Sequence, residues 1–387
     1  MVKVGKFTTL FSLFCFFAKI VVFSQTIPGA ERISDYISLL TNKNIAIVTN
    51  HTGIISGVHI VDTLLSLNIK IKKIFCPEHG FRGTADAGQD IENSQDPKTG
   101  ITIVSLYGNK KKPSVNDLKD IDIILFDLQD VGVRYYTYIS TLHYIMESAA
   151  ENHKPLILLD RPNPNGFYID GPVLDTSLRS FVGMHPIPVV YGMTIGELSK
   201  MINGEGWLKE KKQCYLTVIE CLNYTHDTRY SVPVPPSPNL PNMASIYLYP
   251  SLGFFEGTVV STGRGTTLPF QIYGHPLLRN YPFVFIPESM KGAGSPKFKG
   301  VKCYGEDLRN TSIANGKSNE IGLIFLVRTY QDLKLPDFFN NYFKFLSGDK
   351  KLQKQIEDGI DIGIIKAGWK NDIELFKQKR EKYLIYK

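Results

Sequence analysis

The sequence predicts an α/β protein with a doubly wound, mostly parallel sheet, followed by a second domain. Short apolar runs alternate with segments of helical periodicity through the first half of the chain. Runs without regular polar alternation are typical of parallel strands covered on both faces. Residues 231–241 then contain five prolines, which impose a stiff, extended backbone. This segment is predicted to be either the junction with the second domain or a rigid wall of a cleft.

The elements follow from the periodicity of apolar residues. Five apolar runs are predicted as strands: residues 44–49, 69–75, 101–106, 121–126 and 155–159. Helices are predicted at 58–67 and 141–151, and another helix begins after Thr194, whose spacing to Glu197 fits a capping box. Further on, the pattern predicts a strand at 321–327 and helices at 337–346 and 370–379.

Each predicted strand ends in polar residues accompanied by Gly or Pro. The endings are Asn50-His51-Thr52-Gly53, Pro77-Glu78-His79-Gly80-Phe81-Arg82-Gly83, Tyr107-Gly108, residues 127–136 and residues 160–166. In a parallel sheet these turns share one edge, where ligands bind in this architecture. The second turn brings a carboxylate, an imidazole and a guanidinium together, which favours an active site over an ordinary polar loop.

The N-terminus predicts export. Residues 1–24 read as a signal peptide, with Lys3 and Lys6 before an apolar stretch, and a retained membrane anchor is the alternative. Removal of this segment also removes Lys19, so the formal charge falls from +7 to +4 (7 − 3). The sequence has no concentrated basic stripe of the kind that would predict nucleic-acid binding. The three consecutive lysines at residues 110–112 are predicted to form a solvated face. We expect a periplasmic or secreted protein without stable membrane insertion.

The sequence does not predict a metal or another cofactor. His51, His79, Asp127 and Asp160 are the candidates for a metal cluster, but no H-x-x-x-H or H-E-x-x-H spacing occurs. A serine hydrolase is disfavoured because no G-x-S-x-G elbow is present. Cys76 is predicted to be a small buried residue, with a nucleophile as the alternative.

Several long motifs, taken in order, resemble the NamZ-type exo-β-N-acetylmuramidases, a glycoside hydrolase family. The motifs are the first, second, fourth and fifth strand endings above, Pro236-Ser237-Pro238-Asn239-Leu240-Pro241, Phe255-Glu256-Gly257-Thr258 and Gly263-Arg264-Gly265-Thr266. The resemblance implies a Rossmann-like N-terminal catalytic domain at residues 28–235 and a smaller α+β C-terminal domain at 236–387 that closes the cleft. It also implies release of terminal N-acetylmuramic acid from non-reducing ends of peptidoglycan glycans.

Such a reaction needs an acid that protonates the leaving oxygen and a second group that assists attack at the anomeric carbon. Glu78 is the predicted acid, because its position after a buried strand favours a protonated carboxyl. Asp127 and Glu256 are candidates for the second group, and so is Asp130. The acetamido group of the substrate is an alternative nucleophile, and either aspartate is an alternative helix cap.

Selection of N-acetylmuramic acid requires a cation for its lactyl carboxylate, and Arg82, Arg134 and Arg264 are the candidates. An alternative for each arginine is an ion pair with a neighbouring carboxylate, such as Arg134 with Asp130. Tyrosines 135, 136 and 138 are candidates for stacking on sugar rings or for core packing. The remaining substrate-binding candidates are polar residues of the same motifs: Asn50, His51, His79, Asp130, Asp160 and Asn239.

Two other functions fit parts of this pattern. A periplasmic sugar- or muropeptide-binding protein would use the same cleft without turnover, although simple binding does not require so many acidic groups at strand ends. A metal-dependent deacetylase or phosphoesterase would be inhibited by a chelator.

Overall fold

The computed structural model describes residues 25–77, 81 and 94–387. Its strands are β1 (Asn44–Thr49), β2 (Ile54–Ile55), β3 (Val58–His59), β4 (Lys70–Cys76), β5 (Ser94–Gln95), β6 (Thr102–Ser105), β7 (Ile123–Asp127), β8 (Leu156–Leu159), β9 (Leu216–Ile219), β10 (Ile272–His275), β11 (Phe283–Phe285) and β12 (Cys303–Asp307). Within these residues the larger sheet has the order β5-β6-β4-β1-β7-β8-β9. All of its pairings are parallel except that of β5 with β6.

The predicted fold is confirmed. Apart from the short edge strand β5, the sheet has the Rossmann order, in which the first strand lies between the second and the fourth. The order reverses between β1 and β7, which pair in register from Ile45 with Ile123 to Thr49 with Asp127. The loops after these two strands therefore lie at the topological switch point, where such sheets bind ligands.

Both faces of the sheet are buried, which explains why its strands lack polar alternation. Val48 and Phe126 belong to one apolar cluster, whereas their neighbours Ile47 and Leu125 belong to another. The helices are α1 (Ile33–Leu40), α2 (Ile60–Ser66), α3 (Val115–Leu118), α4 (Tyr138–Glu151), α5 (Ile195–Gly204), α6 (Met243–Leu252), α7 (Leu323–Leu333), α8 (Phe343–Ser347), α9 (Leu352–Glu357), α10 (Ile362–Ala367) and α11 (Lys370–Arg380).

The second half combines the antiparallel sheet β10-β12-β11 with helices α6 to α11. The predicted strand at 321–327 is wrong, because most of this run forms the start of α7. Leu323, Leu326 and Val327 are buried while Ile324 is 49% exposed, which is the spacing of an amphipathic helix. The helix predicted at 370–379 is confirmed as α11, whereas only the end of the one predicted at 337–346 is helical, in α8.

The C-terminal residues return to the first half of the chain. The predicted capping box of Thr194 and Glu197 is present at the start of α5. Glu197 also accepts hydrogen bonds from the backbone N–H groups of Ile385 and Tyr386. The end of the chain thus fixes a helix beside the larger sheet, and the domain boundary at residue 235 stays a prediction. Among the described residues, no helix combines the length and apolar character needed to cross a bilayer.

Candidate active site

The turn predicted to supply the acid follows β4. Glu78, His79 and Arg82 lie outside the described residues, so their predicted roles stay predictions. Cys76, the last residue of β4, is fully buried, and burial raises the pKa of its thiol to about 12. This environment disfavours the thiolate, as expected for a packing residue rather than a nucleophile.

Asp127 forms a buried ion pair with Arg161. Arg161 donates from Nε to Oδ1 of Asp127 at 2.5 Å and from Nη2 to Oδ2 at 2.9 Å. The side chains are 0% and 3% exposed. Burial alone would lower the pKa of Arg161, but Asp127 outweighs it and the pKa is raised. In this arrangement the Asp127 carboxylate is engaged by Arg161 beneath the surface, and it does not cap a helix.

Asn50 connects the loops that follow β1 and β7. Its Nδ2 donates to the hydroxyl of Tyr138 at 2.7 Å, and its Oδ1 accepts from both the backbone N–H and the hydroxyl of Thr52. The Thr52 hydroxyl oxygen in turn accepts from the backbone N–H of Gln129 at 3.2 Å. Because Asn50 is fully buried, its contacts hold the switch point together.

Asp130 is buried in the same loop region and contacts neither Arg134 nor a helix end. Its Oδ2 accepts from the Tyr191 hydroxyl and from the backbone N–H of Gly132. Its Oδ1 has no hydrogen-bond partner among the described residues. Burial raises the pKa of Asp130 to about 6, although the two donors oppose this shift.

Asp160 binds four groups of the protein. It accepts hydrogen bonds from the hydroxyls of Thr194 and Tyr386 and from the backbone N–H groups of Arg161 and Gly196. It is fully buried, and burial raises its pKa to about 7. These contacts give Asp160 a structural role in joining the end of β8, the start of α5 and the C-terminus.

Arg134 is held by backbone carbonyls rather than by a carboxylate. Its Nη1 donates to the oxygens of Pro172 and Ile187, each at 2.7 Å, and its Nη2 donates to those of Leu346 and Ser347. The side chain is fully buried, and burial lowers its pKa to about 10. The predicted pair with Asp130 is therefore absent, and a bound sugar does not reach this guanidinium in the described arrangement.

A cleft of about 990 Å³ lies between the edge of the larger sheet and the second half of the chain. Its walls come from residues after β6 and β7, from the 180–182 loop and from three segments of the second half. Aromatic side chains line much of it: Tyr107, Tyr135, Phe181, Tyr249, Tyr342 and Phe345. The charged residues lining it in the described part of the chain are Lys111, Glu256 and Arg264.

Glu256 is the carboxylate of this cleft. Its Oε2 accepts from Nε and Nη2 of Arg264 at 3.1 and 3.0 Å, and its Oε1 accepts from the Thr262 hydroxyl at 3.2 Å. Lys297 Nζ lies behind it and donates to the carbonyls of Phe255 and Thr258. Burial would raise the pKa of Glu256, but Arg264 and Lys297 outweigh burial and lower it. The side chain is 26% exposed, so the anion remains accessible.

Other predicted binding residues contact backbone carbonyls of the protein. The Tyr135 ring lines the cleft, but its hydroxyl donates to the carbonyl of Pro250 at 2.7 Å. Asn239 is buried and donates to the carbonyl of Gly292, a residue that lines the cleft. The half-buried His51 has its Nε2 at 2.8 Å from the carbonyl of Pro235. Tyr136 and Tyr138 are buried, and both donate to the carbonyl of Pro236.

The structure brings three of the predicted site residues to one cleft, Tyr135, Glu256 and Arg264, whereas Asn50, Asp127, Asp130, Arg134 and Asp160 are buried and do not line it. Sequence reasoning missed Arg161, although it stands beside Asp160 in the fifth strand ending. It also treated Lys111 as part of a solvated face. The strand-end position was a usable signal for Arg161, whereas nothing in a run of three lysines singles out the middle one.

The described residues contain no group of three His, Cys, Asp or Glu side chains placed to share a metal ion.

The fold and the cleft define an α/β protein with a ligand-sized, aromatic and charged groove between a Rossmann-like half and a C-terminal half. Two family models match the chain: Exo-beta-N-acetylmuramidase NamZ, N-terminal, over residues 45–244, and its C-terminal counterpart over residues 247–386. The chain therefore belongs to the NamZ family of exo-β-N-acetylmuramidases, which are glycoside hydrolases.

Individual relatives agree with this membership. The chain is 38% identical over 376 residues to the peptidoglycan β-N-acetylmuramidase NamZ of Bacillus subtilis (strain 168), covering 92% of this chain and 89% of that protein. A crystal structure of a DUF1343 family protein from Bacteroides fragilis NCTC 9343 matches with a TM-score of 0.87 and 47% identity. A second such protein from the same organism matches with a TM-score of 0.75 and 28% identity. Each match covers 94% of this chain and 99% of the other chain.

Proposed function

We propose that this protein is an exo-acting β-N-acetylmuramidase that releases terminal N-acetylmuramic acid from the non-reducing ends of peptidoglycan fragments. Its family membership and its similarity to the B. subtilis enzyme support this assignment. The structural observation that carries it is the cleft carboxylate Glu256, which two cations keep in its anionic form. Aromatic walls beside this carboxylate suit the apolar faces of sugar rings.

The two carboxyl groups needed for glycoside cleavage differ in protonation state. Glu256 has a lowered pKa and is accessible from the cleft, so it suits the anionic role, in which it activates a nucleophile, attacks the anomeric carbon or stabilises positive charge there. Glu78 is proposed as the acid that gives its proton to the leaving oxygen. The bond from the anomeric carbon to that oxygen breaks, and water supplies the group that replaces it.

Other residues near the strand ends support this pair. Arg161 and Asn50 fix the loops at the switch point through buried contacts. Tyr135 forms a wall of the cleft, because its hydroxyl is bound to backbone oxygens of α6. Asp127 has the chemistry of a catalytic carboxylate, but its bidentate pair with Arg161 makes positioning of the β7 and β8 loops the role that its contacts support.

The decisive experiment compares two chromogenic β-glycosides, one of N-acetylmuramic acid and one of N-acetylglucosamine, with the purified mature protein. We expect release of the chromophore from the first and little from the second. Release from neither would overturn the assignment. Glu78→Gln removes the proposed acid with little change of shape, so we expect loss of turnover with retained sugar binding.

A binding protein without turnover is the alternative that the same cleft allows. It predicts that the wild-type protein binds muropeptides but releases no chromophore, and that Glu78→Gln changes affinity alone. A metal-dependent hydrolase predicts loss of activity in a chelator and recovery on addition of a divalent metal.

We also propose that the protein is exported and acts in the periplasm or outside the cell. The support is the sequence of residues 1–24, a positively charged start followed by an apolar stretch. Export would place the enzyme beside its proposed substrate. Fractionation of cells that produce the full chain, with N-terminal sequencing of the protein, tests this proposal, and an unprocessed cytoplasmic protein would contradict it.

A further inference from the structure

Lys111 differs from its two neighbours in the run of three lysines. Lys110 pairs with Asp117 at 2.7 Å, and Lys112 pairs with Glu147 at 2.7 Å and with Glu151 at 2.6 Å. Lys111 instead lines the cleft and is half-buried. In the described part of the chain, no carboxylate lies within ion-pairing distance of it. No carboxylate of the described residues therefore neutralises its charge.

The position of Lys111 is supported by an aromatic platform. Its Nζ lies 4.8 Å from the centre of the Phe181 ring. Phe181 in turn packs edge-on against Tyr107 and stacks on Tyr144, with ring centres 6.2 and 6.3 Å away. An ammonium over an aromatic face is held by the ring quadrupole. The lysine is thus partly ordered before any ligand arrives, which reduces the entropy lost on binding.

The other cations that the structure describes near the cleft already have partners. Arg264 binds Glu256 through Nε and Nη2. Lys297 donates to the backbone carbonyls of Phe255 and Thr258. Arg134 is buried among four carbonyls. Because the charges of Glu256 and Arg264 offset each other, the charged side chains described in the cleft leave a net positive charge at Lys111.

We propose that Lys111 is the specificity residue that binds the lactyl carboxylate of N-acetylmuramic acid, in place of Arg134 or Arg264. This inference rests on the proposed function, because it assigns the substrate's distinguishing charge to a particular side chain. A carboxylate in the cleft gains a charge-assisted hydrogen bond from the ammonium without breaking an existing ion pair. N-acetylglucosamine lacks this group and leaves Lys111 without the contact.

The test separates charge from shape. Calorimetry measures the binding of N-acetylmuramic acid and of its neutral lactyl amide to the wild type, Lys111→Met, Lys111→Arg and the neighbouring control Lys110→Met. We expect the wild type and Lys110→Met to prefer the acid by about 10- to 100-fold. Lys111→Met should reduce this preference nearly to one, mainly through weaker binding of the acid, and Lys111→Arg should keep most of it.

A wild-type preference that survives in Lys111→Met would overturn the assignment, and so would a wild type that does not distinguish the acid from the amide. If Lys111→Met does not fold, Lys111→Gln gives the same comparison with a polar side chain. The chromogenic assay keeps the two proposals distinguishable. If the protein turns over the glycoside but the lysine variants keep the wild-type preference for the acid, only the role of Lys111 is refuted. If the preference for the acid depends on Lys111 but no chromophore is released, only the hydrolase proposal is refuted.

Discussion

Arg161 and Asp127 join the carboxyl ends of two neighbouring parallel strands through a bidentate, fully buried ion pair. Asp127 ends β7 and Arg161 follows β8, so the pair fixes the relative position of two loops at the ligand-binding edge of the sheet. A buried charge that loses its partner is strongly destabilising, because neither water nor another ion replaces the contact. The pair therefore links the stability of the sheet to the geometry of the site.

The first prediction concerns Arg161→Met. We expect the free energy of unfolding to fall by about 3–5 kcal/mol, because Asp127 stays buried without its partner. Equilibrium unfolding in urea, followed by circular dichroism, measures this loss. The matched control is Lys354→Met, which breaks the exposed pair between Lys354 and Asp358. That change should leave the free energy of unfolding nearly unchanged, because an exposed ion pair contributes little to stability.

The double variant Asp127→Asn/Arg161→Met sharpens this prediction. Removing both charges leaves no uncompensated ion, so the double variant should be more stable than the sum of the single losses implies. Additive losses would contradict the pairing.

The second prediction concerns Arg134→Met. Its guanidinium binds carbonyls of Pro172 and Ile187 in the first half of the chain and of Leu346 and Ser347 near its end. Removal of the guanidinium leaves these buried acceptors unsatisfied, and we expect a loss of several kcal/mol in the free energy of unfolding. Any folded protein that remains should keep its preference for the lactyl acid over the amide. A changed preference in a stable variant would show that the arginine reads the substrate.

The third prediction uses the pH dependence of the proposed hydrolase. Glu256 has a pKa below its ordinary value of 4.5, so its carboxylate is ionised at neutral pH. The enzyme should therefore lose activity only as the pH falls through that lowered pKa. Arg264→Met removes a charge that lowers this pKa, and burial then raises it with less opposition. We expect the acidic limb of a plot of kcat/KM against pH to move to higher pH.

The control for this shift is Arg309→Met, which breaks an exposed pair with Asp307 outside the cleft. Its acidic limb should coincide with that of the wild type. An acidic limb that stays in place in Arg264→Met would show that Glu256 does not control it.

The sequence predicts the Rossmann-like sheet well because each strand is buried on both faces, and this burial appears directly as a run of apolar residues. The same reasoning fails at residues 321–327, where an apolar run with one exposed position, Ile324, belongs to a helix. A short apolar run does not by itself distinguish the two structures.

The sequence also predicts which loops meet at the sheet edge, but not which of their side chains face a ligand. Asp160 is bound by Tyr386, 226 residues further along the chain, and Arg134 by Ser347, 213 residues away. Local patterns carry no information about such distant partners. A polar residue that is paired within the protein therefore looks the same in the sequence as one that binds substrate, and the middle lysine of a charged run looks like its neighbours.

The fourth prediction concerns a buried pair of histidines, His143 and His185. Nδ1 of His143 lies 3.1 Å from Nε2 of His185, whose ring stacks on Trp207. Burial lowers the pKa of His143 to about 4, against an opposing effect of Glu147. Burial, and then the repulsion that a protonated His143 would exert, hold the pKa of His185 well below its ordinary value of 6.5. Both rings are therefore neutral in the folded protein at neutral pH.

The sign of the resulting pH dependence follows from proton binding. Below pH 6.5 the unfolded chain binds protons at these histidines while the folded protein does not, so the free energy of unfolding falls as pH decreases. Asp130 and Asp160 act in the opposite direction, because burial raises their pKa values to about 6 and 7. These carboxyls remain in a histidine variant. The difference in the free energy of unfolding between wild type and variant therefore isolates the contribution of the histidine to the pH dependence.

We therefore expect His185→Phe to become more stable relative to the wild type as pH falls from about 7 to 5, by up to about 1.4 kcal/mol for each pH unit and each proton excluded. Urea unfolding at a series of pH values measures this difference. The control His153→Asn changes an exposed histidine with positive φ, a conformation that Asn tolerates, and should follow the wild-type curve. A difference between wild type and His185→Phe that does not vary with pH would contradict the neutral histidine pair.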